Sequence, residues 1–387
     1  MLPTLSFNDP AKRTISEEIK LLLDQKGNTC VSIVLPLHNL TIDQKADKIH
    51  LAKAVKDICD QLKTTIEPSE KLITSLNGLF EQVEFNRNDE GIALYVSEGI
   101  SFYSTFPFTV AETVAIEKSF HLRELLLKEQ YAIPYNVLYI DEHEIRLYTG
   151  KLRQLKEIRN GEFPMIYEQD YEYQPASHTT SMAGYAHVKN FEREKDQIDK
   201  IRHEAFIQQA DDQLHKYLQN SEVLLLSGNT RYTSAFLNRT THADKIIGVV
   251  NGNYNRFDET DFAGMVWPSI EACIYERMVD ELGEFNEKIG EGLAEEGISA
   301  VWDAVCNGRG ETLLVEKSYQ VKGFLTNHNT WQLFLQAPGR KHTVLQDAVN
   351  SLLEMQLEKK GKVVFTEDGM LNEHQHIALV TRYRYFS

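Results

Sequence analysis

Cysteine is scarce in this chain, and the four present, Cys30, Cys59, Cys273 and Cys306, lie far apart with no Cys-x-x-Cys pair among them. That spacing argues against a zinc knuckle or a disulfide framework. It leaves buried thiols as the expectation, with Cys273 and Cys306 on the apolar faces of predicted helices. Long hydrophobic runs are missing too: no window approaches the ~18 apolar residues of a membrane span, and Met1-Leu-Pro-Thr-Leu-Ser has neither a basic n-region nor an apolar h-region. The expectation is a cytoplasmic protein with no membrane partner. Basic charge is also short. With 41 Lys and Arg against 57 Asp and Glu, the net charge of −16 argues against broad nonspecific binding to nucleic acid, and no DNA partner is expected. Local basic patches on an acidic body remain open.

No internal repeat or low-complexity tract stands out. With 42% hydrophobic and 25% charged residues, the composition is that of an ordinary globular protein, and 387 residues exceed a single ordinary core, so two or three domains are expected. Residues 1–130 read as one unit: a strand at Cys30 to Pro36, a helix from about Asp43 to Leu62 with Ala46, Ile49, Ala52, Cys59 and Leu62 inward, strands at Gly91 to Ser97 and Ser101 to Phe106, and a close at Phe120 to Leu126. Residues 131–261 open on strands at Asn136 to Asp141, Glu144 to Thr149 and Leu152 to Ile158, whose turn-sized gaps predict an antiparallel meander. A helix from about Phe191 to Leu218 follows, with Ile198, Ile201, Ala205, Leu214 and Leu218 at helical spacing. Then come a strand at Val223 to Leu226, a polar turn at Ser227-Gly-Asn-Thr230, another helix and a strand at Ile246 to Val250.

Residues 262–387 begin with a long helix whose inner positions are Ile270, Cys273, Ile274, Met278, Leu282 and Phe285. Next, Ile298, Val301, Trp302 and Val305 fall at i, i+3, i+4 and i+7 on a helix stopped at Gly308, and the apolar run Leu313 to Val315 reads as a buried strand. A further helix is predicted over Thr343 to Leu357, then strands at Lys362 to Phe365 and His376 to Tyr385, with Arg382 and Arg384 on the face opposite Tyr383 and Tyr385. Alternating helices and strands predict α/β and α+β domains in series.

Three stretches together resemble a known family. The order Cys30 to Pro36, Gly91 to Ser97 and Phe120 to Leu126 is similar to the first domain of the bacterial archaeo-eukaryotic release-factor-like proteins. Ala300 to Glu316 and His376 to Tyr385 resemble the third domain of archaeal and eukaryotic class-1 termination factors and of Pelota. Meander, long helix, strand, helix, strand is the order of the central domain in that superfamily. The resemblance covers nearly the whole chain. It implies three domains, 1–130, 131–261 and 262–387, the central one RNase H-like and the last like ribosomal protein L7Ae.

In the termination factors a loop bearing Gly-Gly-Gln projects from the central domain and places backbone donors and an attacking water at the peptidyl-tRNA ester; its glycines permit close backbone approach. The corresponding stretch here, Glu168 to Glu194, contains no Gly-Gly-Gln. Its nearest counterpart, Ser181-Met-Ala-Gly184-Tyr185, puts tyrosine where glutamine is expected, which argues against peptide release by the usual mechanism. The stretch does hold Tyr171, Tyr173, Tyr185, His178, His187, Lys189 and Arg193, aromatic and basic groups suited to stacking on bases and meeting phosphates. A solvated loop whose tyrosines fold back on the body is the other reading. The Asn-Ile-Lys-Ser and Gly-Thr-Ser motifs of stop-codon reading are absent; Asn39 to Lys45 stands in a similar place with different chemistry.

The resemblance implies a ribosome-associated factor that enters the A site in hibernation, protection or rescue. Its partners would be ribosomal RNA and tRNA, with a translational GTPase as a further candidate. No cofactor and no metal are assigned. An RNA- or tRNA-cleaving enzyme using His178, His187 and Lys189, and a protein-interaction scaffold that has lost RNA binding, are the competing functions. Elsewhere, His374 and His376 are read as two side chains on one face of a strand end, lacking a third ligand. Gly308-Arg-Gly310 reads as a helix C-cap turn, and Ser227-Gly228 lacks the elbow of a serine hydrolase.

Overall fold

The computed structural model describes residues 16–38, 44–65, 70–85, 89–167, 201–218, 223–326 and 329–384. They gather into two compact units, one within Ile133–Cys273 and another joining residues up to Ala132 with those from Ile274 onward.

The N-terminal part of the second unit holds α1 (Glu17–Leu23), β1 (Cys30–Pro36), α2 (Gln44–Thr65), α3 (Glu70–Glu81), β2 (Gly91–Val96), β3 (Ser101–Phe106), β4 (Thr113–Glu117) and α4 (Arg123–Tyr131). Its sheet runs β3-β2-β1-β4, antiparallel throughout. The sequences of β1 and β2 are nearly unbroken apolar runs because both faces of these strands are covered. Val31, Ile33, Leu35, Ile92 and Leu94 meet Leu51, Val55, Ile58 and Leu62 of α2 and Leu72 and Leu76 of α3. The inward stripe of α2 differs from the predicted one: Ala46 is exposed, Ile49 is 70% exposed and Ala52 is half-buried. The first turn is oriented by a polar residue instead. Buried Asp47 accepts from the His38 backbone amide at 2.9 Å and meets His38 Nδ1 at 2.7 Å.

The central unit holds β5 (Pro134–Ile140), β6 (Glu144–Lys151), β7 (Gln154–Glu157), β8 (Met165–Ile166), α5 (helical over the described residues 201–214), β9 (Val223–Gly228), α6 (Thr230–Leu237) and β10 (Ile246–Asn251). The strand order is β10-β9-β5-β6-β7, with β8 also on β6. The predicted meander is present as β5-β6-β7, while β9 and β10 run parallel to β5. Ile207, Ala210 and Leu214 of α5, and Leu218 in the turn after it, face the core. Ile201 is 64% exposed and Ala205 is exposed, contrary to the predicted inner face; Ile198 lies outside the described residues. Again a polar group takes an inward place, since Asp211 is buried by accepting from Thr241 and Thr240.

The long helix α7 (Glu259–Gly290) buries Ile270, Cys273, Ile274, Met278 and Phe285 as expected. After it come β11 (Ala294–Glu296), α8 (Ile298–Cys306), β12 (Gly310–Glu316), β13 (Gly323–Thr326), β14 (Asn329–Phe334), β15 (His342–Leu345), α9 (Ala348–Glu358), β16 (Lys362–Thr366) and β17 (Ile377–Thr381). One sheet is ordered β11-β17-β12-β16 and a second β14-β13-β15. Helix α8 buries Ile298, Val301, Trp302 and Val305, the four predicted positions. It ends as the C-cap reading requires: Gly308 takes φ +73°, its amide donates to Val305 O at 2.9 Å and the Arg309 amide to Ala304 O at 3.0 Å.

Two C-terminal expectations are corrected. Thr343 to Leu345 belong to strand β15, and helix α9 starts only after Asp347, whose carboxylate caps it by accepting from the Val349 amide at 2.9 Å. The last strand stops at Thr381; Arg382 turns away and donates to Lys359 O at 2.8 Å, and Tyr383 is 53% exposed. Tyr385 lies outside the described residues.

Within this unit the N- and C-terminal parts are joined by buried polar contacts. Arg123 of α4 donates to Lys317 O at 3.1 Å and Tyr319 O at 2.8 Å and pairs with Asp347 at 3.1 Å. Gln130 extends the edge of β16, donating to Phe365 O and accepting from Phe365 N, both at 2.8 Å. Asn350 of α9 accepts from the Leu122 amide and donates to Phe120 O, both at 3.0 Å.

Candidate functional site

The residues expected to contact RNA, Tyr171, Tyr173, His178, Ser181, Gly184, Tyr185, His187, Lys189 and Arg193, all lie outside the described residues. What the central unit presents among described residues is a crevice of about 280 Å³ beyond the carboxyl ends of its parallel strands, lined by Tyr139, Asp141, Gly228, Asn229, Thr230, Gly252 and Asn253. Open α/β sheets favour ligands there because successive connections diverge at the strand ends and leave a gap. Here β5 turns back at once into antiparallel β6, whereas β9 passes through Asn229 into α6.

Two glycines let the backbone close around this gap. Gly228 takes φ +127°, and a Cβ there would stand 2.0 Å from Ile140 O. The Gly252 amide donates to Gly228 O at 3.0 Å, and a Cβ on Gly252 would meet the Tyr254 ring at 2.6 Å. Asn229 caps α6, accepting from the Arg231 amide at 3.0 Å. Asp141 accepts from Asn255 Nδ2 at 2.7 Å and from the Glu142 amide at 2.8 Å. The Tyr139 hydroxyl is buried, lies near the Tyr254 backbone and closes no regular hydrogen bond. Burial first, and then the Asp141 charge, push its pKa up to about 12, so it stays a donor at neutral pH.

This arrangement can hold a small polar group between the Tyr139 hydroxyl, the Asp141 carboxylate and the first turn of α6. Among the described residues its ionisable or hydroxyl-bearing lining is Tyr139, Asp141 and Thr230. Ser227, beside it, donates to Val250 O at 3.0 Å and ties β9 to β10. The crevice was not foreseen from the sequence. The available signal was the polar turn Ser227-Gly-Asn-Thr230 directly after a buried strand and before a helix, a pattern that marks strand-end ligand sites.

The other singled-out residues have structural roles. His374 and His376 are not on a strand: His374 ends a 3-10 turn and meets Glu296 at 3.0 Å, while His376, at φ +67°, meets Glu316 at 2.8 Å. Each has its own carboxylate, so they do not converge. All four cysteines are buried free thiols, and burial pushes Cys30 up to about 12, with the Glu354 charge adding to it. Arg309, in the turn after α8, pairs with Glu295 at 2.8 Å.

Residues 134–309 match the model of bacterial archaeo-eukaryotic release factor family 3, a shorter span than the near-whole-chain resemblance read from the sequence. No curated protein matches the chain. Among solved structures, the archaeal translation termination factor aRF1 aligns at 13% identity over 95% of this chain and 96% of its own, with a TM-score of 0.25. Pelota of Archaeoglobus fulgidus aligns at 15% identity over 79% and 84%, TM-score 0.39, and archaeal Pelota in a ribosome-bound model with ABCE1 at 13% over 76% and 78%, TM-score 0.38. Over residues 134–309 the chain is similar to bacterial archaeo-eukaryotic release factor family 3, and the family resemblance read from its sequence stands.

Proposed function

We propose that this protein is a ribosome-associated translation-factor homologue that enters the A site in hibernation, protection or rescue and does not release peptide. The observation that carries this reading is the family match over 134–309, which includes the stretch from Glu168 to Glu194 where Gly-Gly-Gln is missing. On this reading that stretch meets ribosomal RNA and tRNA through Tyr171, Tyr173, Tyr185, His178, His187, Lys189 and Arg193, in the cytoplasm, with a translational GTPase as partner. We further propose three domains, 1–130, 131–261 and 262–387, the central one RNase H-like and the last like ribosomal protein L7Ae, with the first and third sharing one compact unit.

Two outcomes are expected. In a reconstituted assay the purified protein releases no peptide from ribosome-bound peptidyl-tRNA, whatever codon occupies the A site; stop-codon-dependent release above background would mean that Ser181 to Tyr185 has found another chemistry. In co-sedimentation, the parent pellets with ribosomes and the combined alanine variant of His187, Lys189 and Arg193 pellets less. Because few phosphate contacts are involved, binding falls only gently with salt, by a slope of about 0.7 to 0.9 per contact. Equal sedimentation of variant and parent would remove the stretch from the contact surface and favour an interaction scaffold, and cleavage of tRNA by the purified protein would favour a nuclease.

A further inference from the structure

The chain holds 57 acidic residues in 387, about one in seven, yet none occurs from Lys317 to Gln346, where Lys317, Lys322, Arg340 and Lys341 stand. This acid-free stretch folds as the sheet β14-β13-β15. Cross-strand pairing decides what shares a face. Phe324 lies opposite Phe334 on one side and Val344 on the other, and Thr326 lies opposite His342. Residues directly opposed on neighbouring strands point the same way, so Phe334, Phe324 and Val344 form a row across all three strands, with His342 in the next row.

The alternate residues point the other way, with Gly323 and Leu333 buried in the unit, Leu325 and Leu345 half-buried and Thr343 exposed. At Gly323 a Cβ would touch Leu333 at 2.6 Å and Ala348 at 3.0 Å. The row face is open: Val344 is 40% exposed, and Phe324, Phe334 and His342 are half-buried. The His342 ring packs edge-on to Phe324 at 5.3 Å and the Lys322 ammonium lies 5.9 Å from the same ring. Lys322, Arg340 and Lys341 are all exposed. At the margin, Trp331 is 57% exposed, with the Lys359 ammonium 5.9 Å from its ring.

We propose that this outer sheet face binds single-stranded RNA, with Phe324 and Phe334 as stacking platforms and Lys322, Arg340 and Lys341 as phosphate contacts. A row of rings on a sheet, bordered by cations, suits unstacked bases on a polyanion, because every base has a π-face and the backbone needs countercharge. A purely apolar partner would leave the three cations without countercharge. The sign of the patch, opposite to that of the chain as a whole, selects a polyanion. This site is separate in sequence from Tyr171 to Arg193 and does not depend on it.

The test is fluorescence anisotropy of the full chain with a labelled unstructured RNA of about 12 nucleotides, a length within reach of one sheet module, titrated between about 50 and 200 mM salt. The parent binds this single strand and binds a duplex of equal length more weakly. Replacing Lys322, Arg340 and Lys341 together by glutamine lowers the salt slope by about 2, since each phosphate contact on a single strand contributes about 0.7. Phe324→Leu and Phe334→Leu, which keep apolar volume and lose the ring, each weaken binding about 5- to 150-fold. Should leucine lower the melting temperature, the glutamine variant, altered only at exposed side chains, still decides. The same substitutions are repeated on the combined alanine variant of His187, Lys189 and Arg193: undiminished ribosome binding there with the sheet-face effects intact sinks the loop reading alone. Sheet-face variants that melt like the parent and bind the single strand equally well overturn the proposal, as does equal affinity for duplex. Loss of a ribonuclease-resistant protein partner without any change in RNA affinity overturns it in favour of protein docking.

Discussion

Arg123→Ala is expected to destabilise the unit built from the two ends of the chain by about 3–5 kcal/mol, the range found when one partner of a buried ion pair is removed. The Arg123 and Asp347 side chains are only 7% and 8% exposed, so the remaining carboxylate has little water to replace its partner. The loss extends further, since the same guanidinium satisfies the carbonyls of Lys317 and Tyr319. Arg123→Lys recovers only part of this, because a single ammonium cannot reproduce a planar fork aimed at three acceptors. The pair Arg123→Met with Asp347→Asn should cost less than the sum of its members, since it leaves no charge stranded. A chain of this size need not unfold in one step, so the measurement is hydrogen exchange read locally: protection should fall across α4, α9 and β16. Unchanged protection there in Arg123→Ala would show that the contact follows the packing and does not hold it.

That contact also marks where sequence reading stops. Strands β1, β2 and β9 and the meander were legible because unbroken apolar runs and short turns are local signals. The union of α4 with the turn after β12, with β16 and with α9 rests on Arg123, Gln130 and Asn350 meeting residues far along the chain, mostly through backbone atoms. No periodicity records such contacts. The phase of α2 went wrong for a related reason: Asp47 points inward to His38, and an inward carboxylate inverts what hydrophobic spacing suggests. Val344, Ala348 and Leu352 continue the helical spacing of α9 backward into β15, and only Asp347, an N-cap residue, marked the boundary. The two histidines near the end looked like strand neighbours because period-2 spacing says nothing about a left-handed turn at Gln375 and His376. For the candidate site, the chemistry of the Glu168 to Glu194 stretch was legible as composition, whereas the Asp141 and Gly228 crevice arises from strands brought side by side by the fold.

A second large effect is expected in the pH dependence of the same unit. Glu354 of α9 is 3% exposed, and burial raises its pKa from 4.5 to about 7. Around it stand the Asn350 amide at 3.0 Å, Lys26 at 3.9 Å, Ser119, Glu358 and His121. Lys26 opposes the rise and Glu358 adds to it, but desolvation dominates. A carboxyl whose folded pKa is raised binds its proton more tightly folded than unfolded. Its contribution is therefore full below about pH 4.5 and is lost progressively until pH passes about 7. The difference amounts to about 3 kcal/mol at pH 8. Two neighbours act in the same direction: buried Glu124 is raised by desolvation, and His121, although burial lowers it, is raised on balance by its hydrogen bond to Glu117 and nearby carboxylates. Glu354→Gln keeps an acceptor for Asn350 and removes the titration. Parent and variant should melt together near pH 4, below both pKa values, and the variant should be the more stable by several degrees at pH 8. Comparing the two cancels the other carboxylates, whose own titrations are common to both. If the variant is instead less stable at pH 8 than the parent, Glu354 is ionised in the folded chain and held by Lys26, and the pair, not the buried proton, is what the structure maintains.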